Sequence, residues 1–226
     1  MLGGTRGNFF WRNIANITSI LGVLPLAVLF LDDGYRYLLP LIIFNNIMDD
    51  LDGILAAKLN IRSRFGANLD NVCDAVAHVV IALAVGANFG GILLIASAIA
   101  AGSIILRVTS RVDPEGNSGN GSPTNELMRH LLLVLVLAQV FGFEPEIYLL
   151  FLFLLHAVSM VIPYRMSGLI RGQAKSVMAV ASVNVALVMA WLIPYVATLV
   201  AVAFGATYLY AFIRSGSRWL KNMSTP

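Results

Sequence analysis

An all-α bundle of membrane-spanning helices is the fold class this sequence predicts, and three observations predict it. Of the 226 residues, 58% are hydrophobic and 12% are charged, about half the charged fraction of an ordinary soluble domain. The mean hydropathy is +0.81. The apolar residues come in long runs, and runs of roughly 17–25 residues are long enough to cross a bilayer as helices. The basic residues, finally, gather in every second connection between those runs.

The chain opens with Met1–Arg12, which carries Arg6, Phe9, Phe10, Trp11 and Arg12. This mixture of bases and aromatics reads as a short segment on the membrane surface, with no cleavable signal pattern. Eight apolar segments follow, at about 14–31, 37–57, 66–87, 91–106, 127–142, 146–163, 176–193 and 195–213. Some are short and only Pro194 parts the last two, so the count runs from six to eight, and the charge pattern favours eight. Of the 15 lysines and arginines, 14 fall on one side of these segments and only Arg36 on the other, where Asp32, Asp33, Glu144 and Glu146 lie. The positive-inside rule then places both termini in the cytoplasm, which an even number of spans delivers. The stretch SRVDPEGNSGNGSPTNE (110–126) reads as the core of a cytoplasmic loop over 108–126. It is either a plain connector or a mobile lid over a site on the same face. The single cysteine, Cys73, excludes an intramolecular disulfide. No internal repeat or second domain is visible, so residues 1–226 read as one membrane domain.

The charge that remains is concentrated. DDLDGILAAKLNIRSRFGANLDNVCD (49–74) holds five of the chain's 12 acidic residues. Asp49 and Asp52 are three apart at the cytoplasmic end of the second segment and share a helix face with Gly53 and Ala56. Asp70 and Asp74 are four apart at the start of the third, one turn beyond Gly66. Asp50 points about 100° away from Asp49 and reads as a rim residue. The short link 58–65 makes the two helices antiparallel neighbours, so four carboxylates converge at one depth. Such charges repel unless they protonate, pair with bases or bind cations. Oxygen ligands without histidine or cysteine favour Mg²⁺, Mn²⁺ or Ca²⁺ over zinc, and two ions sharing such a cluster commonly clamp a phosphorus centre. Gly53, Ala56 and Gly66 serve either close helix packing or room for a flat base or a diphosphate.

The pattern Asp49-x2-Asp52-Gly53-x2-Ala56 … Gly66-x3-Asp70-x3-Asp74 resembles the signature of the CDP-alcohol phosphotransferases, D-x2-D-G-x2-A-R-x8-G-x3-D-x3-D, and agrees at seven of its eight fixed positions. The likeness extends more loosely over the first three segments, including NIANIT at 13–18. The family's arginine falls on Ala57, and Lys58, Arg62 and Arg64 are the nearby bases that stand in for its diphosphate contact. The resemblance implies transfer of a phosphatidyl group from CDP-diacylglycerol to a small alcohol with release of CMP. It implies that Asp49, Asp52, Asp70 and Asp74 hold two divalent ions, Mg²⁺ or Mn²⁺, and that Asp74 is also the general base. Gly53, Ala56, Lys58 and Gly66 are the residues expected against the CDP-lipid. The stretch LDNVCDAVAH (69–78) looks most like the phosphatidylserine synthase branch, with Asn71 and Ala77-His78 departing from it, so serine is the first acceptor. Glycerol phosphate, inositol and inositol phosphate are the alternatives.

Arg129, Arg165 and Arg171 are the candidate acceptor-binding cations. Their plainer roles are helix capping, with Ser122, Thr124 and Glu126 at the start of the fifth helix, and anchoring to anionic lipid headgroups. His78, His156 and Cys73 read as core residues, and Asn184 as an interhelical hydrogen bond. The expected partners are CDP-diacylglycerol, the alcohol, membrane lipids and, by resemblance, a second copy of the chain, with no nucleic acid. The expected location is a bacterial-type cytoplasmic membrane with the site on the cytoplasmic side. Two competing classes are a cation transporter and a family-derived protein that no longer turns over. No acidic path continues to the far side of the membrane, and an idle site has little reason to hold four repelling charges.

Overall fold

The structure, a computed structural model, describes residues 6–113 and 120–224. The surface segment expected over 1–12 therefore lies outside the described residues at 1–5, and the loop expected over 108–126 does so at 114–119. The described residues form helices and connections, with no strand among them. Eight long helices overlap the eight apolar segments, the first starting inside the expected surface segment and the last running beyond its expected end at 213: α1 (Arg6–Val23), α2 (Leu38–Lys58), α3 (Arg64–Phe89), α4 (Gly91–Val112), α5 (Thr124–Phe141), α6 (Glu146–Val161), α8 (Val177–Leu192) and α9 (Pro194–Ser224). A single turn, α7 (Ile170–Gln173), interrupts the connection between α6 and α8. Among the described residues five helices are long and apolar enough to cross a membrane, and α6 and α8 are shorter apolar helices.

Local chemistry sets the boundaries. The first segment does not stay α-helical to its end, because Pro25 has no N–H to donate to the preceding turn. The chain continues instead as a 3₁₀ helix, Leu24–Phe30. Pro40 is tolerated in the first turn of α2, where backbone N–H groups have no intrahelical partner. Ser63 caps α3 by accepting the Gly66 N–H at 2.9 Å, so α2 and α3 are joined by only five residues, 59–63. Gly142, with φ of 67°, closes α5 in the left-handed region that glycine adopts without strain.

The centre of the bundle is α5, whose Leu127, Met128, Leu131 and Leu132 are all but sealed from solvent. It touches α2, α3, α6, α8 and α9. The outer surface is apolar in stripes at helical spacing, for example Ile92, Ile95 and Ile99 on α4 and Tyr195, Leu199 and Val202 on α9. In water such stripes would be a liability, whereas hydrocarbon covers them at no cost.

Candidate active site

α2 and α3 touch each other only sparingly, because α1 packs against both from one side and α5 against both from the other. A cavity of about 580 Å³ opens at the ends of α2 and α3 that their short connection joins. A smaller one of about 250 Å³ lies beside it beneath α1, and the two share Asp52, Gly53, Arg62 and Asp70.

Three of the four expected acids come together. Carboxylate oxygens of Asp49, Asp70 and Asp74 lie within 4.8 Å of one another. Asp74 is buried, and the Arg111 guanidinium of α4 approaches it to 4.0 Å. Asp49 accepts a 2.8 Å hydrogen bond from the Asn125 amide at the start of α5. Asp52 lines both cavities, but one of its oxygens accepts the hydroxyl of Ser19 from α1. The i,i+3 spacing puts Asp49 and Asp52 on one face, and α1 then draws Asp52 toward the smaller cavity. The donor set of Asp49, Asp70 and Asp74 consists of hard oxygens, which fits Mg²⁺ or Mn²⁺.

The small residues divide between the cavities. Gly53 lines both, Ala56 and Gly66 only the smaller one. A Cβ at Gly53 would meet no atom within 4 Å, so close helix packing is not what keeps this position small. A Cβ at Gly66 would meet Asn16 Oδ1 at 3.0 Å and the capping Ser63 Oγ at 3.2 Å, a tight fit to α1 and to its own cap.

Seven bases face the acids across the larger cavity: Lys58, Arg62, Arg107, Arg111, Arg129, Arg171 and Lys175. Ala57 lies on the same wall, and Lys58 and Arg62 are its neighbours there, whereas Arg64 does not reach the lining. Arg165 is exposed and also lies outside it. Arg129 is 2% exposed and makes an ion pair with the equally buried Glu126 at 2.8 Å. That pairing corrects the expected helix cap: Pro123 stands at the cap position of α5, no side chain caps it, and Glu126 turns to Arg129 instead. Thr124 is bonded to His78 at 2.8 Å, which makes His78 a satisfied core residue; His156 bonds Tyr208 at 3.1 Å through Nδ1, while its buried Nε2 has no partner among the described residues.

Asp50 is also corrected. It is buried rather than at the rim, and it accepts from Arg171 Nε at 2.8 Å and from Asn184 Nδ2 at 2.7 Å. The residues that sequence reasoning did not attach to the site are Ser19, Asn46, Asp50, Asn125 and Glu126. Their signal was polarity inside or beside apolar runs, but which partner each one has depends on contacts 33 to 134 residues away for Ser19, Asn125 and the Asp50–Asn184 pair.

A helical membrane bundle with a carboxylate cluster facing a wall of bases suits a polyanionic substrate handled next to hydrocarbon. The chain belongs to the CDP-alcohol phosphatidyltransferase family, whose family model matches residues 12–219 and so contains the whole acidic signature. The family is a class of phosphotransferases that move a phosphatidyl group from a CDP-alcohol to an acceptor, working on membrane lipids and generally with a divalent metal. No individual curated protein matches the chain significantly.

Proposed function

We propose that this protein transfers the phosphatidyl group of CDP-diacylglycerol to a small alcohol with release of CMP, and that the alcohol is L-serine. The observation that carries the reading is the meeting of Asp49, Asp70 and Asp74 within 4.8 Å beside a cavity of about 580 Å³ lined by seven bases. Asp49, Asp70 and Asp74 hold the divalent ions, Mg²⁺ or Mn²⁺, with Asp52 completing the set. When bound, the ions neutralise the carboxylates and the charge on the phosphorus oxygens. Asp74 takes the proton of the attacking hydroxyl as the alcohol oxygen bonds to the phosphatidyl phosphorus and the bond from that phosphorus to CMP breaks. The cavity beneath α1, lined by Gly53, Ala56 and Gly66, receives the nucleotide, and Arg62, which borders both cavities, with Lys58 on the adjoining wall of the larger one, supplies the diphosphate contact that Ala57 lacks. Arg129 and Arg171 line the larger cavity on the acceptor side, and Arg165, exposed outside that lining, meets the acceptor before it enters. Carboxylate recognition by a guanidinium is the reason serine suits this wall.

The chain acts as one membrane domain and as a homodimer in a bacterial-type cytoplasmic membrane, with both termini and the site facing the cytoplasm. The clustering of cavity bases at the ends of α2, α3 and α4 supports that orientation under the positive-inside rule. The test is CMP release by the purified protein in detergent with CDP-diacylglycerol, Mn²⁺, and serine, glycerol phosphate, inositol or inositol phosphate in turn. Release is expected with serine and is expected to fall about 10²–10⁴-fold in Asp74→Asn. Ala57→Arg is expected to lower the KM for CDP-diacylglycerol. Silence of both the native protein and Ala57→Arg with every acceptor would refute the transferase.

A further inference from the structure

Six side chains from four helices form one unbroken chain of hydrogen bonds beside the acid cluster. Glu126 accepts from Arg129 Nη1 at 2.8 Å, and Arg129 Nε donates to Asn46 Oδ1 at 3.0 Å. Asn46 Nδ2 donates to Asn184 Oδ1 at 2.7 Å, and Asn184 Nδ2 donates to Asp50 Oδ2 at 2.7 Å. Arg171 Nε closes the chain on Asp50 Oδ1 at 2.8 Å. The elements joined are α5, α2, α8 and the single turn α7.

The direction of this chain is not free. A guanidinium only donates, so Asn46 must offer Arg129 its oxygen and turn its NH₂ to Asn184. A carboxylate only accepts, so Asn184 must offer Asp50 its NH₂ and turn its oxygen to Asn46. Two amide dipoles thus stand head to tail between a cation and an anion, an arrangement in which each bond strengthens the next. Nothing in the reaction chemistry asks for either asparagine. Asn46 is 5% exposed, and neither asparagine lines the two cavities at the acids.

The two arginines at the ends of the relay differ in what they have left to give. Arg171 spends Nε and Nη2 on Asp50 and Nη1 on the Ala174 carbonyl at 3.3 Å. Arg129 is held by Nε and Nη1, its Nη2 has no hydrogen-bond partner among the described residues, and the side chain lines the larger cavity. Arg129 is therefore the oriented, available guanidinium, and Arg171 is the clasp that ties the α6–α8 connection to α2.

We propose that Asn46 and Asn184 are positioning residues for acceptor recognition: their amide relay locks the cavity-facing guanidinium of Arg129 and the Arg171-bearing connection into one unit. The proposal rests on the transferase reading above. The relay members that reach a cavity line the larger one, which also holds Asp49, Asp70 and Asp74, and not the one beneath α1, so the relay sets affinity for an anionic alcohol and leaves the CDP-lipid cavity alone.

The experiment compares Asn184→Leu, Asn184→Asp and the double exchange Asp50→Asn with Asn184→Asp against the native protein in detergent. In the double exchange Arg171 donates to the amide oxygen at 50, that amide donates to the carboxylate at 184, and Asn46 still donates to 184, so every bond of the relay and the net charge are restored, and only the 3.3 Å bond from Asn184 Nδ2 to the Val180 carbonyl is lost. Interhelical hydrogen bonds add only modestly to membrane-protein stability, so the single variants fold. In CMP release the KM for the acceptor rises about tenfold in each single variant, the scale of one buried polar group left without its partner. The KM for CDP-diacylglycerol stays within about twofold, a split that a merely structural role would not produce. The double exchange returns the acceptor KM to the native value. Hydrogen–deuterium exchange of residues 170–176, which needs no turnover, speeds several-fold in Asn184→Leu and is native-like in the double exchange. If neither the native protein nor Ala57→Arg releases CMP with any acceptor, the transferase reading falls and the exchange rates alone decide the relay. An unchanged acceptor KM, unchanged exchange at 170–176, a parallel loss of CDP-diacylglycerol affinity, or a double exchange no better than Asn184→Asp would overturn it.

Discussion

Replacing Gly53 separates a position kept small for packing from one kept small for a ligand. A Cβ there has no neighbour within 4 Å, so Gly53→Ala adds a methyl group without a clash. Removing a glycine from a helix interior stabilises the helix by about 1 kcal/mol. For a chain of this length that raises Tm by about 2–4 °C. Leucine has nearly the same helix propensity, so Gly53→Leu keeps that gain. Close packing predicts the opposite sign, because overfilling a packed contact costs about 1–3 kcal/mol. The ligand side moves the other way. Gly53 borders both the cavity of about 580 Å³ and that of about 250 Å³, and a leucine projects into the space they share. The KM for CDP-diacylglycerol is then expected to rise at least tenfold in Gly53→Leu, about 1.4 kcal/mol of lost binding, and only slightly in Gly53→Ala. Thermal unfolding in detergent and CMP release at varied CDP-diacylglycerol measure the two effects on the same samples. A lower Tm for Gly53→Ala, or an unchanged KM for Gly53→Leu, would refute the reasoning.

Two further outcomes follow from the same geometry. Glu126→Gln and Arg129→Met each strand one charge of a pair that is 2% exposed on both sides, and each should cost about 3–5 kcal/mol of stability; the double variant should recover most of it, and simple additivity in thermal unfolding would count against a buried pair. Dialysis against EDTA should stop CMP release and Mg²⁺ or Mn²⁺ should restore it where Zn²⁺ does not; full activity after chelation would remove the metal from the reaction.

Much of this architecture was legible because hydrocarbon imposes simple rules. All eight apolar segments became helices, since a backbone in lipid must satisfy its own hydrogen bonds. The break after Val23 needed only the chemistry of Pro25. The convergence of Asp49, Asp70 and Asp74 followed from helical spacing and a short link. What spacing did not carry was the assignment of partners. Asp49 and Asp52 share a face, yet one is bonded by α5 and the other by α1. Asp50 looked peripheral because its cation, Arg171, is 121 residues away in a connection with no strong local signal. Asn184 was read as an interhelical hydrogen bond and Asn46 was not singled out; their mutual contact spans 138 residues and follows only from the docking of α8 on α2. Ala57 was legible as a departure; that Lys58 and Arg62 border the same cavity while Arg64 does not required the turn of α2 and the path of the link.

The buried pair at the start of α5 also bears on how the chain is made. A helix entering the bilayer by itself meets a cost of roughly 2.5–3.5 kcal/mol for each charge placed at mid-membrane, less toward the ends. Among the five long apolar helices α5 is the least hydrophobic and the one most enclosed by its neighbours, and it carries Glu126, Arg129 and His130 within its first two turns. Glu126 and Arg129 are one turn apart and neutralise each other within the nascent helix, before any neighbour has arrived. The consequence for synthesis is an order of entry: α1, α3 and α4 are apolar enough to settle as autonomous spans, whereas α5, and α2 with its three aspartates, enter as guests of helices already in place, and the bundle closes around α5 when α8 and α9 emerge.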